Sequence, residues 1–309
     1  MTDMFDCRNA WAETMIELAQ ADPRVVVVVN DSLGSSNLQG FADRFPDRVI
    51  NVGIAEQTMV GAAAGLADAG YIPFVSAAAC FLTARAMEQI KVDVGYAAGN
   101  VKLCGMSPGM AYGELGPTHH SIEDMSWLRA IPGITIIVPA DPVETAATLR
   151  WMASSQGPAF IRVSRMAVRQ VFDDSYEFRP GRGTVVRDGS DVTVIANGVL
   201  LQRALGAAET LAPDVSVRVV SMPTVSSLDE DLVVRCAAET TGIVTLEEGQ
   251  VSGGLGAAVA CLLAQRHPAR MRILGVPGVF APTGSQTWLL DHFGMDNDGI
   301  CRAILDLAG

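Results

Sequence analysis

The sequence predicts an α/β protein of two domains, each with a largely parallel sheet flanked by helices. Three observations carry that expectation. Short apolar runs rich in β-branched residues recur along the chain, the purest being VVVVV at 25–29. Unbroken runs of this kind suit strands buried on both faces of a parallel sheet. Stretches of helical periodicity separate successive runs, the alternation that builds βα units. At 309 residues the chain is also long enough for two cores of ordinary size.

In the first half, strands are expected at 25–29, 72–75, 101–104, 134–138 and 159–163, with helices at 55–69, 84–94 and 142–153. The periodicity fails at 170–182, a polar stretch containing Pro180 and Gly181. Such a stretch is expected to connect domains, so the domains are set at 1–172 and 185–309 with 173–184 as the linker. A second alternation follows, with strands at 192–196, 215–220, 243–246 and 273–276 and helices at 200–211, 256–265 and 299–307. No convincing internal repeat or low-complexity tract interrupts it.

Hydrophobic residues make up 49% of the chain and charged residues 18%, the balance of a soluble globular protein. The mean hydropathy of +0.28 is high for a monomer and points to an extensive subunit interface, since obligate interfaces resemble interiors. Apolar runs such as 25–29 are too short to cross a bilayer. The acidic start MTDMFD is no charged-then-apolar leader, so a cytoplasmic protein is expected. A net charge of −12 argues against a nucleic-acid partner. It leaves room for a phosphorylated substrate held by a local Arg or His. The cysteines at 7, 80, 104, 236, 261 and 301 are scattered and form no C-x-x-C. Several, such as Cys80 and Cys261, have apolar neighbours, and the set is expected to be reduced core thiols, with neither a disulfide frame nor a metal site.

The most informative stretch is NVGIAEQTMV at 51–60, followed by GAAAG. It places Glu56 at the start of a helix built almost wholly of small and apolar residues. A carboxylate there is costly to bury unless something pairs with it. Glu56 therefore either favours the positive end of its own helix or serves a ligand. A second stretch, YGELGPTHHSIED at 112–124, brings His119 and His120 together. Adjacent side chains on a helix or strand point apart, and no further Cys/His group completes a ligand set, so metal ligation is not expected.

The segment GIAEQ with its small-residue helix resembles the catalytic-glutamate segment of the transketolase family, and GPTHHSIED resembles that family's GPTHQ..ED segment. The two lie in the family's order with similar spacing. The resemblance continues through FIRVSR at 160–165 and EEG...GGLG at 247–256, covering nearly the whole chain but only the C-terminal half of a full-length transketolase. It implies a pyrimidine-binding domain followed by a transketolase C-terminal domain, with thiamine diphosphate as cofactor. In such enzymes a glutamate carboxyl on N1′ of the aminopyrimidine stabilises the imino form, whose nitrogen takes the thiazolium C2 proton. The resemblance gives Glu56 that role.

It also implies an aromatic or apolar wall for the pyrimidine, with Phe81 as the candidate. Counting back without gaps from Arg85, which matches an Arg in several relatives, puts Leu82 at the usual aromatic position, so a local bulge is needed for Phe81; a core position is the alternative. Arg85 is either a cofactor-site residue or the exposed face of an amphipathic helix. Asp31, in VNDSLGSSN, resembles the ADL..SN turn and follows the first strand, at the sheet end where ligands usually bind. His119 matches the His that donates to substrate hydroxyls and to the oxyanion at the donor carbonyl, and His120 stands where relatives often have Gln. Both remain open to a plain loop role. Glu123 and Asp124 match the ED pair, for which holding a histidine or capping the helix near Met125 is favoured over direct catalysis. Arg165 matches an Arg that binds substrate phosphate, with a surface ion pair as the alternative.

Two departures bear on specificity. Leu115 replaces the Asp of GEDGPTH, which contacts the acceptor's C2 hydroxyl, so the acceptor is expected to lack that hydroxyl or present it differently, as a ketone or branched sugar would. Ala55 replaces the Arg of GIREH versions. SGGLGAA at 252–258 lacks full dinucleotide-fingerprint spacing, and its glycines are expected to permit a tight strand-to-helix connection.

No GDG occurs in the chain, although family members anchor the diphosphate and Mg²⁺ through GDG followed by Asn. The resemblance therefore implies the C-terminal subunit of a split transketolase. It would act on sugar phosphates only with a separate N-terminal subunit that carries the GDG...N motif and holds most of the Mg²⁺ contacts, as a heterotetramer. The alternatives are the β subunit of a 2-oxo acid dehydrogenase first component, which the GPTHHSIED stretch disfavours, and a non-catalytic subunit that keeps the fold. A 1-deoxyxylulose-5-phosphate synthase is normally one fused chain, and a nucleotide-binding protein would need a phosphate loop in the first domain.

Overall fold

The computed structural model describes residues 4–309. The chain forms two compact units, one comprising the residues up to Pro108 with Trp127–Phe178 and the other Gly109–Ser126 with Arg179–Gly309. The histidine segment thus belongs to the same unit as the C-terminal half.

The elements up to the connection are β1 (Phe5–Asp6), α1 (Cys7–Ala21), β2 (Val25–Val29), α2 (Gln39–Arg44), β3 (Val49–Asn51), α3 (Glu56–Asp68), β4 (Ile72–Ala78), α4 (Ala79–Arg85), α5 (Met87–Gln89), β5 (Lys102–Met106), α6 (Asp124–Arg129), β6 (Thr135–Ile137), α7 (Pro142–Ser154), β7 (Ala159–Val163) and β8 (Ala167–Val168). In the first unit six strands form a wholly parallel sheet in the order β3-β2-β4-β5-β7-β6. The two shortest strands pair separately and antiparallel, Phe5 opposite Val168.

All five β2 valines are buried, as the unbroken run predicts. Val25, Val27 and Val29 pack with Trp11 and Met15 of α1 and with Leu149 and Met152 of α7. Full burial of each such side chain contributes about 1.5–3 kcal/mol. Asp6 caps α1 by accepting from the Arg8 N–H, and Asp141, before Pro142, caps α7 through the Glu144 N–H. Chain order places β3 on one side of β2 and β4 on the other, so the sheet's switch point lies at the carboxyl ends of β2 and β4, where α/β sheets bind ligands.

The second unit contains β9 (Thr184–Arg187), β10 (Val192–Ala196), α8 (Leu201–Leu211), β11 (Val217–Ser221), α9 (Glu230–Glu239), β12 (Ile243–Gln250), α10 (Leu255–Arg266), β13 (Met271–Val276), α11 (Gln286–His292) and α12 (Asn297–Ala308). Its sheet runs β13-β12-β10-β11-β9, parallel except for the edge strand β9. Both units are therefore α/β with parallel sheets and flanking helices, the class the sequence predicts.

Two local expectations are corrected. The helix predicted at 84–94 begins at Ala79, breaks where Ala86 leaves helical geometry (φ −101°, ψ 20°), and resumes through α5 into a π-helix at Ile90–Tyr96. Cys261, expected in the core, is exposed. It lies on α10, which turns Leu255, Ala258, Val259 and Leu263 inward instead. The other five cysteines are buried and free.

Candidate active site

In the first unit, the end of β2 and the start of α3 bring Asn30 and Glu56 together. Both side chains are buried, Glu56 to 3% exposure. Asn30 donates from Nδ2 to Glu56 Oε1 at 2.8 Å, and Arg85 Nη1 donates to the same oxygen at 2.9 Å. Burial alone would push the Glu56 carboxyl up; its own backbone N–H, Asn30 and Arg85 outweigh that and hold it below the ordinary glutamate value. Glu56 is thus a buried, ionised carboxylate fixed in orientation.

The Arg85 guanidinium also lies over the Phe81 ring, 4.0 Å from its centroid, a cation–π contact. Phe81 is half-buried, whereas its neighbour Leu82 is fully buried. The helix turn separates the two: Phe81 joins the Arg85–Glu56 group and Leu82 joins the core.

Asp31, expected at the site from the sequence, is exposed and hydrogen-bonds Asn51, not Glu56. Its backbone is left-handed (φ 67°), its N–H donates to Asn51 Oδ1 at 3.0 Å and its Oδ1 accepts from Asn51 Nδ2 at 3.2 Å. Asn30 is the residue that reaches Glu56, and sequence reasoning misses it; the only signal is a polar residue directly after five buried valines. Arg165 is exposed, two residues beyond the end of β7.

In the second unit the histidine segment divides as adjacent residues should. His119 is half-buried, with Nδ1 2.9 Å from Thr118 Oγ1 and its ring edge-on to Tyr112 at 6.2 Å. His120 is 4% exposed, and both its ring nitrogens are buried without a well-formed hydrogen bond. Burial lowers its pKa, only partly opposed by a looser contact with the Gly113 backbone, and the His119 charge lowers it further. His120 is therefore neutral at pH 7. A buried imidazole with unsatisfied nitrogens is a group prepared for a polar ligand. Asp124 is fully buried; it accepts from Ser121 Oγ at 3.0 Å and from the Met125 N–H at 2.7 Å.

Around Glu56 the residues suit an aminopyrimidine. The Glu56 carboxylate and the buried Asn30 Oδ1, which has no hydrogen-bond partner, are acceptors for ring and amino N–H groups, and Phe81 adds an aromatic ring to the group. Among the described residues no group of three or more His, Cys, Asp or Glu side chains is placed to hold a metal ion.

Comparison with known proteins gives the family. Residues 3–170 match the transketolase pyrimidine binding domain and residues 181–300 the transketolase C-terminal domain. The chain is 39% identical to one of the subunits of the apulose-4-phosphate transketolase of Phocaeicola vulgatus, over 98% of each chain. It is 37% identical to the 6-deoxy-6-sulfo-D-fructose transketolase subunit SqwH of a Clostridium species, over 96% of this chain and 92% of that one. Among solved structures, a split gene transketolase described as an inactive β4 tetramer superposes with a TM-score of 0.91 at 37% identity over 99% of both chains. On these matches, the chain belongs to the transketolase family and is related throughout its length to single subunits of split transketolases.

Proposed function

We propose that the chain is the C-terminal subunit of a split, thiamine-diphosphate-dependent transketolase that moves a two-carbon ketol unit from a ketose phosphate to an aldose or other carbonyl acceptor. The observation that carries this reading is the buried, ionised Glu56 carboxylate oriented by Asn30 and Arg85. Bound thiamine diphosphate supplies the carbon nucleophile for breaking and making the carbon–carbon bond. Glu56 holds a proton at N1′ of its aminopyrimidine, Asn30 keeps that carboxylate in place, and the Phe81 ring walls the heterocycle and excludes water. Arg85, half-exposed, would hold the same carboxylate in orientation beside the cofactor. His119, with Thr118 engaging Nδ1, meets substrate hydroxyls and the donor carbonyl oxygen through Nε2. His120 supplies a neutral second contact, and Arg165 binds the substrate's phosphate.

The chain lacks GDG, so the diphosphate and Mg²⁺ are assigned mainly to a separate N-terminal subunit carrying GDG...N, in a heterotetramer. The description of one β4 relative as inactive supports a requirement for that partner. The names of two relatives carry a phosphate in one case and a sulfo group in the other, which supports an anionic sugar as substrate.

The test is reconstitution with a GDG-bearing subunit, thiamine diphosphate, Mg²⁺ and a panel of ketose phosphates. Ketol transfer that needs both chains is expected. Decarboxylation of a 2-oxo acid instead, or cofactor binding without turnover of any sugar, would overturn the reading.

A further inference from the structure

The stretch EEG at 247–249 carries two adjacent buried glutamates whose work lies outside the proposed chemistry. They sit in β12 where its register with β13 shifts, between Leu246 and Gln250. Neighbouring strand residues point to opposite faces, and these two serve different segments. Glu247 turns to α10 and accepts from the Leu255 and Gly256 N–H groups at 2.6 and 2.7 Å, capping that helix. Glu248 turns to the histidine segment: Oε1 accepts from the Met110 N–H and from Gln286 Nε2, both at 2.8 Å.

Other contacts fasten the same segment. Gly109 and Ser121 exchange backbone hydrogen bonds of 3.0 and 2.7 Å, which close the loop bearing His119 and His120. Gln250 N–H donates to Ile122 at 2.8 Å, Ser126 Oγ to the Ser252 carbonyl at 3.1 Å, and Gly284 N–H to Gly113 at 3.1 Å. Gly109 is left-handed (φ 64°) and so close to Glu248 that a Cβ there would collide with the carboxylate. The Glu248 side chain ties the loop's start to both β12 and the beginning of α11.

We infer that the C-terminal unit serves catalysis by clamping the histidine loop, with Glu248 as the positioning residue. The inference rests on the proposed role of His119, but the placement itself is tested without turnover. Hydrogen exchange on the full chain compares Glu248→Leu, which removes the acceptor, with Glu248→Gln, which retains a carbonyl acceptor. Loss of these bonds is expected to raise exchange across 109–126 roughly five- to tenfold in the Leu variant, with near-recovery in the Gln variant and no change in β2 or β10. Unchanged exchange at 109–126, or an equal rise throughout the second sheet, would overturn the inference. If Glu248→Leu does not fold, Gln286→Leu removes one donor and should raise the same exchange by a smaller factor; no rise would also overturn it. In the reconstituted complex, Glu248→Leu is expected to lower kcat and raise the donor KM while leaving thiamine diphosphate affinity unchanged, and Glu248→Gln to restore both. A loss confined to cofactor affinity contradicts the inference. Absence of ketol transfer by the wild-type complex refutes the functional reading, and the exchange result still decides the clamp.

Discussion

Asn30 donates from Nδ2 to Oε1 of Glu56 at 2.8 Å, joining the end of the second strand to the first turn of the glutamate's helix. The bond keeps a buried carboxylate ionised and fixes which of its oxygens is engaged. Removing a hydrogen bond to a charged group is worth roughly 1.5–3 kcal/mol. Asn30→Ala should therefore lower kcat in the reconstituted complex by about 10- to 100-fold. Since Asn30 helps hold the Glu56 pKa down, its loss should also move the acid limb of the pH–rate profile to higher pH. Asn30→Asp, which sets a second carboxylate against Glu56, should move it further. A profile that stays in place in both variants would show that Asn30 does not tune Glu56.

Glu144 gives a stability test independent of catalysis. It is fully buried, accepts from Tyr176 OH at 2.5 Å and from the Ala140 N–H at 2.7 Å, and burial raises its pKa from 4.5 to about 7. Between those values the folded chain binds more protons than the unfolded one, so this contribution is full below pH 4.5 and fades as pH rises through about 7. The amount is at most about 3 kcal/mol. Thermal unfolding followed from pH 5 to 8 should show a steeper fall in Tm for the wild type than for Glu144→Gln. Parallel curves would place the Glu144 titration outside that window.

Leu115 is 57% exposed on the segment that carries His119. Its side chain cannot accept or donate a hydrogen bond, so an acceptor hydroxyl meeting it gains nothing there. Leu115→Asp should shift preference toward aldoses bearing a C2 hydroxyl, read as the ratio of kcat/KM between such an aldose and a ketone or branched acceptor. An unchanged ratio would remove Leu115 from acceptor selection.

The parts of the fold that are legible in the sequence are those where one interaction dominates. Five valines in a row can satisfy only a strand buried on both faces, and 25–29 and 159–163 coincide with the observed strands. The first helix escapes such a reading although Asp6 caps it, because its buried stripe mixes Cys7, Trp11, Thr14, Met15 and Ala19 and gives a weak apolar period. Glu56 stands out because a charge among small apolar residues demands a partner. The partner Asn30 lies 26 residues away, and only the parallel pairing of β2 with its neighbours makes them meet. Glu248 is visible as part of a motif, but its contact with Met110, 138 residues earlier, is not. Such long-range contacts are set by topology and leave no local period to read.

The central claim is that Glu56 acts on the cofactor's aminopyrimidine, and one comparison tests it most directly: ketol transfer by the reconstituted complex with wild-type chain against Glu56→Gln. The substitution keeps size and a carbonyl acceptor for Asn30 and Arg85 but removes the ionisable group. The account expects the variant to fold and assemble normally while kcat falls by at least about 100-fold, the lower range for losing an acid–base group. A Glu56→Gln complex that turns over at near the wild-type rate would contradict it.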